Sequence, residues 1–339
     1  MRVIIPMAGI GSRLKPHTLT VPKPLTLIAG KSIVQRLVEE IVQVVGQNVT
    51  DIGFIIGPAS KGFPEDTSAQ LIEIAARFGA KGSVFVQEEA LGTAHAIYQA
   101  RTLLKGNTVV AFADTLFKAD FVLDNRHDGV IWVKQVDNPK EFGVVKLKDG
   151  IITDFVEKPQ EFVSDLAIIG IYYFKEGLQL QAEIDFIMDH KIQGKGGEYQ
   201  LTDALEALKK KGGQYVPGTV KDWMDSGNKE ATVETNKKVL DYEYKSGVQL
   251  VSDSVKLLNA TVIPPCYIGE NVVIENSTVG PFVSLGDHSS VKDSSIVNSL
   301  IQQDTHIKNA SLQDSMIGSH VRYNGDFESV SLGDYSILE

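Results

Sequence analysis

Apolar positions along the chain take three successive forms. Up to about residue 115, short continuous apolar runs alternate with amphipathic stretches. Residues 2–8, 51–57, 83–87 and 108–114 carry the runs and predict buried strands; residues 32–45, 65–78 and 93–104 place apolar side chains at helical spacing. Such alternation predicts a parallel sheet covered by helices on both faces, with ligands at the carboxyl ends of its strands. From residue 129 the runs lengthen and alternate, as in GVIWVKQVD, FGVVKLKDGIITDFVEKP and DLAIIGIYYFK. Asp149-Gly150 is a hairpin signal, so an antiparallel layer joins the parallel sheet. Helical spacing returns at residues 177–190, 201–211 and 229–243.

After about residue 246 the period shifts again. Val273, Val279, Leu285, Val291 and Val297 stand six residues apart, separated by small polar residues, and Gly269, Gly280, Gly286 and Gly318 recur where corners would fall. A six-residue aliphatic period predicts a parallel β-helix, in which each strand stacks on its equivalent one coil away. A β-sandwich fits less well, because sandwich strands are longer and less evenly spaced. Two domains are expected, residues 1–245 and 246–339.

Charge narrows the partners. The net charge of -10 repels nucleic acid and anionic membrane surfaces, so an anionic ligand must be met by a local group of cations. No apolar stretch approaches the ~20 residues that span a bilayer. The opening MRVIIPMAG is too short an apolar run for a signal peptide. The single cysteine, Cys266, excludes an internal disulfide framework and fits a reducing compartment. These features predict a cytoplasmic protein.

The candidate anion site is PMAGIGSRLKPHTLTVPKPL, residues 6–25. It is neither of two familiar phosphate motifs. After Gly9 and Gly11, Leu14 stands where a dinucleotide fingerprint needs its third glycine, and Leu25 stands where a Walker A motif needs its first. Gly9 and Gly11 would let backbone N–H groups approach an anion. Arg13 can grip phosphate oxygens in bidentate fashion, and Lys23 can add a point charge. Pro22 and Pro24 stiffen the chain on either side of Lys23, which lowers the entropy lost in holding that ammonium still. A glycine turn followed by a proline-rich surface loop explains the same composition.

In these residues the sequence resembles the sugar-1-phosphate nucleotidylyltransferases, the nucleotide-sugar pyrophosphorylases. The likeness begins with AGIGSRLKP and PKPL. It continues in order through VQEEALGTAHAI, FAD, FGVV, VEKP, GEYQLTD and WMDSG, covering about residues 1–240. It implies a Rossmann-like, mostly parallel mixed sheet with helices on both faces. Many members append a left-handed β-helix of hexapeptide-like repeats, in keeping with the six-residue period.

The resemblance implies a reaction and a set of roles. A sugar-1-phosphate oxygen attacks the α-phosphorus of a nucleoside triphosphate in line, releasing pyrophosphate; both reactants are anions, so the enzyme's main task is to bring them together. Ala8, Gly9, Gly11 and Ser12 would hold the triphosphate with Arg13, and Lys23 would polarise the reacting phosphates. Gln87 would hydrogen-bond the base, with Gly92 and Thr93 forming the turn against which it lies. Glu157 and Lys158 would bind sugar hydroxyls and sugar phosphate, while Gly143 and Ile169 shape the sugar pocket. Asp114 and Asp225 would ligate Mg2+, a hard cation that binds through few carboxylates. Several relatives carry an arginine directly before Gly-Glu; here Gly196 occupies that place and Lys195 is the nearest cation.

Thymidine or uridine triphosphate with glucose 1-phosphate is the expected substrate pair, ahead of guanosine triphosphate with mannose 1-phosphate. Two other functions fit the pattern less well. Some relatives fuse this domain to a β-helical acyltransferase, and His288, His306 and His320 would then be candidate bases. A non-catalytic regulatory relative would have lost Arg13, Lys23 or the two aspartates, and all four are present. The tail is expected to build a homo-oligomer and to take no part in the chemistry.

Overall fold

The structure, a computed structural model, describes the chain apart from residues 10, 47, 120–122, 124–125, 326–329 and 339; for residues 61, 195 and 338 it describes the backbone alone. By contacts the chain divides into two compact units. The first comprises Met1–Gly9 and Leu37–Trp223, the second Ile10–Arg36 and Met224–Glu339. No helix of the described residues is long and apolar enough to cross a membrane.

The first unit is built on a nine-stranded mixed sheet. Its strands are β1 (Arg2–Pro6), β2 (Asp51–Ile56), β3 (Lys81–Val86), β4 (Thr108–Ala111), β5 (Gly129–Gln135), β6 (Gly143–Lys148), β7 (Ile151–Glu157), β8 (Leu166–Phe174) and β9 (Tyr215–Thr219). Seven of them run in the order β7-β6-β8-β4-β1-β2-β3, while β5 pairs with β8 and β9. β1 is parallel to β2 and β4, and β8 is antiparallel to β4, β5 and β6. The expected mixed sheet is therefore present.

The chain leaves β1 for β2 on one side and later returns to β4 on the other. That reversal makes the carboxyl ends of β1 and β4 a topological switch point, the place where ligands of open α/β sheets bind. The helices of this part are α2 (Thr67–Arg77), α3 (Thr93–Gln99), α4 (Gly177–Asp189) and α5 (Leu201–Lys210); α1 (Ile33–Val45) precedes them. Ile4, Val110, Ile131, Tyr172, Leu180 and Leu205 belong to one buried cluster that joins sheet and helices.

Two boundaries differ most from the pattern reading. The strand expected over residues 108–114 ends at Ala111, and Asp114 lies in the turn beyond it. Phe112 and Ala113 still donate to the carbonyls of Gly170 and Pro6, at 2.9 and 3.2 Å. The helix expected over residues 93–104 stops at Gln99 and tightens into a 3-10 turn at Arg101–Leu103. At the hairpin, Asp149 and Gly150 both adopt positive φ, 54° and 79°, as a two-residue type I′ turn requires.

In the second unit, three parallel sheets of short strands form the expected left-handed β-helix. One runs through Lys256–Leu258, Val273–Glu275, Ser290–Lys292, His306–Lys308, Arg322–Asn324 and Ile337–Leu338. Equivalent residues lie 17, 16 or, in the last coils, 15 positions apart, short of three full hexads. The strict six-residue register therefore slips. Val279, Leu285 and Val291 are fully buried as expected, but Ile274 and Ile296 take the interior places expected of Val273 and Val297, which are half-buried.

The corners also differ in kind. Of the expected glycines Gly280 does adopt positive φ, 111°, but Asn259, Asn276, Asp293, Asn298, Asn309 and Asp314 adopt it too, a conformation their short polar side chains tolerate. Those side chains bond one coil to the next, Asn276 to Asp293 at 3.1 Å and Asn309 to Asn324 at 2.9 Å. Helix α6 (Lys229–Lys245), capped by Asn228, packs on the coils through a buried bond from Ser284 Oγ to Asn236 Oδ1 at 2.6 Å.

Candidate active site

Within the first unit, the expected site residues gather at two places. Gln87 follows β3, is 6 % exposed, and donates its amide nitrogen to the Gly92 carbonyl at 3.2 Å. The same nitrogen lies 3.0 Å from His95 Nδ1, and burial lowers the His95 pKa. Gly92 has φ 119°, and a Cβ there would fall 2.5 Å from the Tyr199 carbonyl oxygen. Its glycine is thus demanded by backbone packing. Thr93 opens α3, and its hydroxyl accepts from the Leu201 amide at 2.9 Å, capping α5 from another element. Tyr199 and Ala94 complete the join, as Tyr199 N donates to Leu91 O and Ala94 N to Tyr199 O. The GEYQLTD segment therefore holds the turn that precedes α3.

The second place is the open end of the β6–β7 hairpin. Gly143 and Glu157 are register partners there. A Cβ on Gly143 would come within 3.0 Å of Glu157 Oε2, and Thr202 donates its hydroxyl to that same oxygen at 3.3 Å. Lys158 is exposed at positive φ, 43°, with its amide on the Phe142 carbonyl. Ile169 is 2 % exposed and belongs to the interior of β8.

Tyr172, also on β8, is buried, and burial pushes its phenol pKa well up. The carboxylates of Glu157 and Asp114 add to that rise, so Tyr172 feels both. Asp114 is an exposed carboxylate just beyond β4. Ala8 and Gly9 emerge from β1; Gly9 is exposed, and a Cβ on it would meet nothing within 4 Å. Among the described residues no packing demands a glycine at position 9.

Of the remaining residues, Gly11, Ser12, Arg13, Lys23 and Asp225 lie in the second unit and Lys195 in the first. Gly11 has φ 66°, and a Cβ on it would sit 2.9 Å from Lys23 Cβ, so only glycine lets the two strands of this loop close. Ser12–Leu14 and Lys23–Leu25 form 3-10 turns, the second entered from Pro22 at φ -57°. Arg13 is exposed, whereas Lys23 is buried at 9 % exposure. Asp225 ends the strand Asp222–Asp225 as an exposed carboxylate, its carbonyl accepting from Thr235 Oγ1 at 2.6 Å. Lys195 opens the 3-10 turn Lys195–Gly197, and its side chain lies outside the described residues.

Sequence reasoning passed over Tyr172 and Thr202. Thr202 sits inside GEYQLTD, yet only the fold brings it to Glu157; Tyr172 is one of two adjacent tyrosines, and nothing in their order separates them.

For a metal ion, no group of three or more His, Cys, Asp or Glu side chains forms among the described residues. Asp114, in the first unit, and Asp225, in the second, are each exposed carboxylates. Each is the kind of hard oxygen donor that a divalent cation such as magnesium takes.

The chain is 29 % identical to a glucose-1-phosphate thymidylyltransferase of Streptomyces griseus, over 99 % of this chain and 98 % of that protein. It is 28 % identical to a bifunctional protein GlmU of Methanococcus vannielii, over 95 % of this chain and 79 % of the relative. A solved Bacillus anthracis chain, described as a candidate glucose-1-phosphate thymidylyltransferase in complex with a sucrose, superposes with a TM-score of 0.58. At 24 % identity, over 70 % of this chain and 94 % of that one, it speaks for the fold. The nucleotidyl transferase family profile matches residues 2–242, most of the chain, and the protein belongs to that family.

Proposed function

We propose that the protein joins a nucleoside triphosphate to a sugar 1-phosphate, giving a nucleotide-sugar and pyrophosphate. One arrangement carries the reading: Glu157, Gly143 and Thr202 at the open end of the hairpin. A carboxylate left uncovered by glycine and braced by a hydroxyl is a bracket for sugar hydroxyl groups. Full-length likeness to two glucose-1-phosphate thymidylyltransferases supports glucose 1-phosphate as the acceptor.

Base choice follows from Gln87. Its amide nitrogen is committed to the Gly92 carbonyl, so the amide oxygen is the end left to read a base. An accepting oxygen favours a base with a ring N–H on its pairing edge. Thymine, uracil and guanine have one; adenine and cytosine do not. We place thymidine and uridine triphosphates first and guanosine triphosphate behind them.

In the proposed mechanism Arg13 and the amides of Gly9, Gly11 and Ser12 take up charge on the leaving pyrophosphate, and Lys23 stabilises the reacting phosphates. Glu157 orients the sugar, and Lys158 binds its phosphate, with Lys195 offered as a second cation for that group. Asp114 and Asp225 would hold a divalent cation, Mg2+ in this reading. When bound, it would neutralise phosphate charge during transfer. We further propose catalytic residues up to 245, a tail from 246 that assembles a homo-oligomer, and a cytoplasmic location.

The test is pyrophosphate release from five nucleoside triphosphates, each against the 1-phosphates of glucose, mannose, galactose and glucosamine. Thymidine or uridine triphosphate with glucose 1-phosphate should turn over fastest. Release by no pair would overturn the reading.

A further inference from the structure

The loop that carries Arg13 and Lys23 is held by the β-helix. Within the second unit, His17 is buried at 5 % exposure, its Nε2 lying 2.9 Å from the hydroxyl of Ser331 in the last coil. Gly333, two residues on, lies against Pro16, so that a Cβ there would stand 3.0 Å from the proline Cβ. Thr20 donates its hydroxyl to Asp334 Oδ2, while Asp334 Oδ1 accepts from the Ser319 amide at 2.6 Å. Asp334 thus ties the loop to one coil and that coil to the one before it.

The far side of the loop is fastened as well. Gln302 donates to the Leu27 carbonyl at 3.0 Å. Arg36 donates to the carbonyls of Ile28 and Ala29, both at 2.7 Å, and pairs with Glu243 of α6 at 2.8 Å. Gly30 lies beneath the ring of Tyr267, which leaves no room for a side chain there. Lys23 lies between the two fastenings, and Arg13 lies three residues before the first.

A loop that contains Gly11 and carries an exposed Arg13 and a buried Lys23 has conformational entropy to lose when it closes on phosphate. Contacts that already fix both of its ends remove part of that loss. We propose that Ser331 and Asp334 of the last coil are positioning residues for nucleotidyl transfer, holding the phosphate loop where Arg13 and Lys23 can meet a triphosphate. The proposal rests on the functional reading above. It replaces the expectation that the tail takes no part in the chemistry.

The test uses the full chain and four variants: Ser331→Ala, Ser331→Ala with Asp334→Ala, the conservative Ser331→Thr, and Gln313→Ala on an exposed coil face as control. Two readouts are taken. Initial rates of pyrophosphate release give kcat and KM for each substrate, and hydrogen–deuterium exchange reports the opening of residues 11–25. Misplacing reacting groups by about an ångström costs on the order of 10²-fold, and partial loosening should cost less.

The double variant is expected to lose about tenfold or more in kcat/KM for the triphosphate, with KM for the sugar phosphate near wild type. Exchange over residues 11–25 should speed up in the double variant. Ser331→Thr should restore both readouts, and Gln313→Ala should leave both unchanged. Unchanged triphosphate kinetics with unchanged exchange would overturn the proposal, as would an equal loss toward both substrates. Should the double variant fail to fold, Ser331→Ala carries the same comparison at smaller amplitude. If wild type transfers nothing, the functional reading fails by that result, while exchange over residues 11–25 still decides whether the coil holds the loop.

Discussion

His17 offers a direct measurement of how tightly the phosphate loop is packed. Burial pushes its imidazole pKa down from 6.5 to about 4; the negative charge of Asp334 opposes the fall and Lys229 adds to it. Nδ1 is buried with no hydrogen-bond partner among the described residues, which leaves no acceptor to stabilise a second ring proton. The unfolded chain therefore binds a proton more readily than the folded one between pH 6.5 and about 4. Above 6.5 both states carry neutral imidazole and the full stability is present. As pH falls toward 4, stability is lost, in total roughly 3 kcal/mol at about 1.4 kcal/mol per pKa unit. Near pH 5 the loss should be about 2 kcal/mol. His17→Gln keeps a donor toward Ser331 but cannot titrate, so it should remove this component from the pH profile. Denaturant unfolding of wild type and variant from pH 4.5 to 7.5 gives the difference, and a histidine ring resonance titrating near pH 4 should vanish in the variant. Parallel pH profiles, with no such resonance in wild type, would refute the burial argument.

Arg13→Ala and Lys23→Ala should each lower turnover ~10²–10³-fold, the usual cost of removing one preorganised donor at developing charge; circular dichroism should be unchanged, and near-normal rates would remove both residues from the mechanism. Asp114→Asn and Asp225→Asn should shift the magnesium titration to higher concentration, and activity lost in chelator should return with magnesium or manganese; turnover that persists in chelator contradicts the metal reading. Gly143→Ala would set a methyl 3.0 Å from Glu157 Oε2, so KM for the sugar phosphate should rise severalfold while KM for the triphosphate holds; an equal rise in both would place Gly143 away from the sugar.

Sequence pattern carried far where structure is local. Asp149-Gly150 announced its turn because two adjacent positive φ angles need those residue types. The alternation of strand and helix gave the sheet, since each buried strand must be apolar along its length. The β-helix was legible as a period but not in register. Val273 and Val297 sit beside Ile274 and Ile296, and coils of 17 or 16 residues decide which neighbour turns inward. Asparagine and aspartate at the corners were read only as polar filling, although their side chains are what make positive φ tolerable there.

The least legible feature is the joining of loop to tail. His17 and Ser331 stand 314 residues apart, and neither belongs to a motif that names the other. A lone buried histidine, a serine near the end of the chain and a glycine facing a proline are each unremarked in one dimension. Motif reasoning assigned the loop to chemistry and the coils to assembly because it follows the order of residues along the chain. Contacts group them otherwise, since Ile10–Arg36 leaves the strand–helix unit and packs with the coils. A pliable anion-binding segment cannot be rigid through its own glycines, so whatever rigidity it has must come from the neighbours that hold its ends. Here those neighbours are the last residues of the β-helix, and under the proposal above the part of the chain that looks most remote from the reaction is the part that positions the loop.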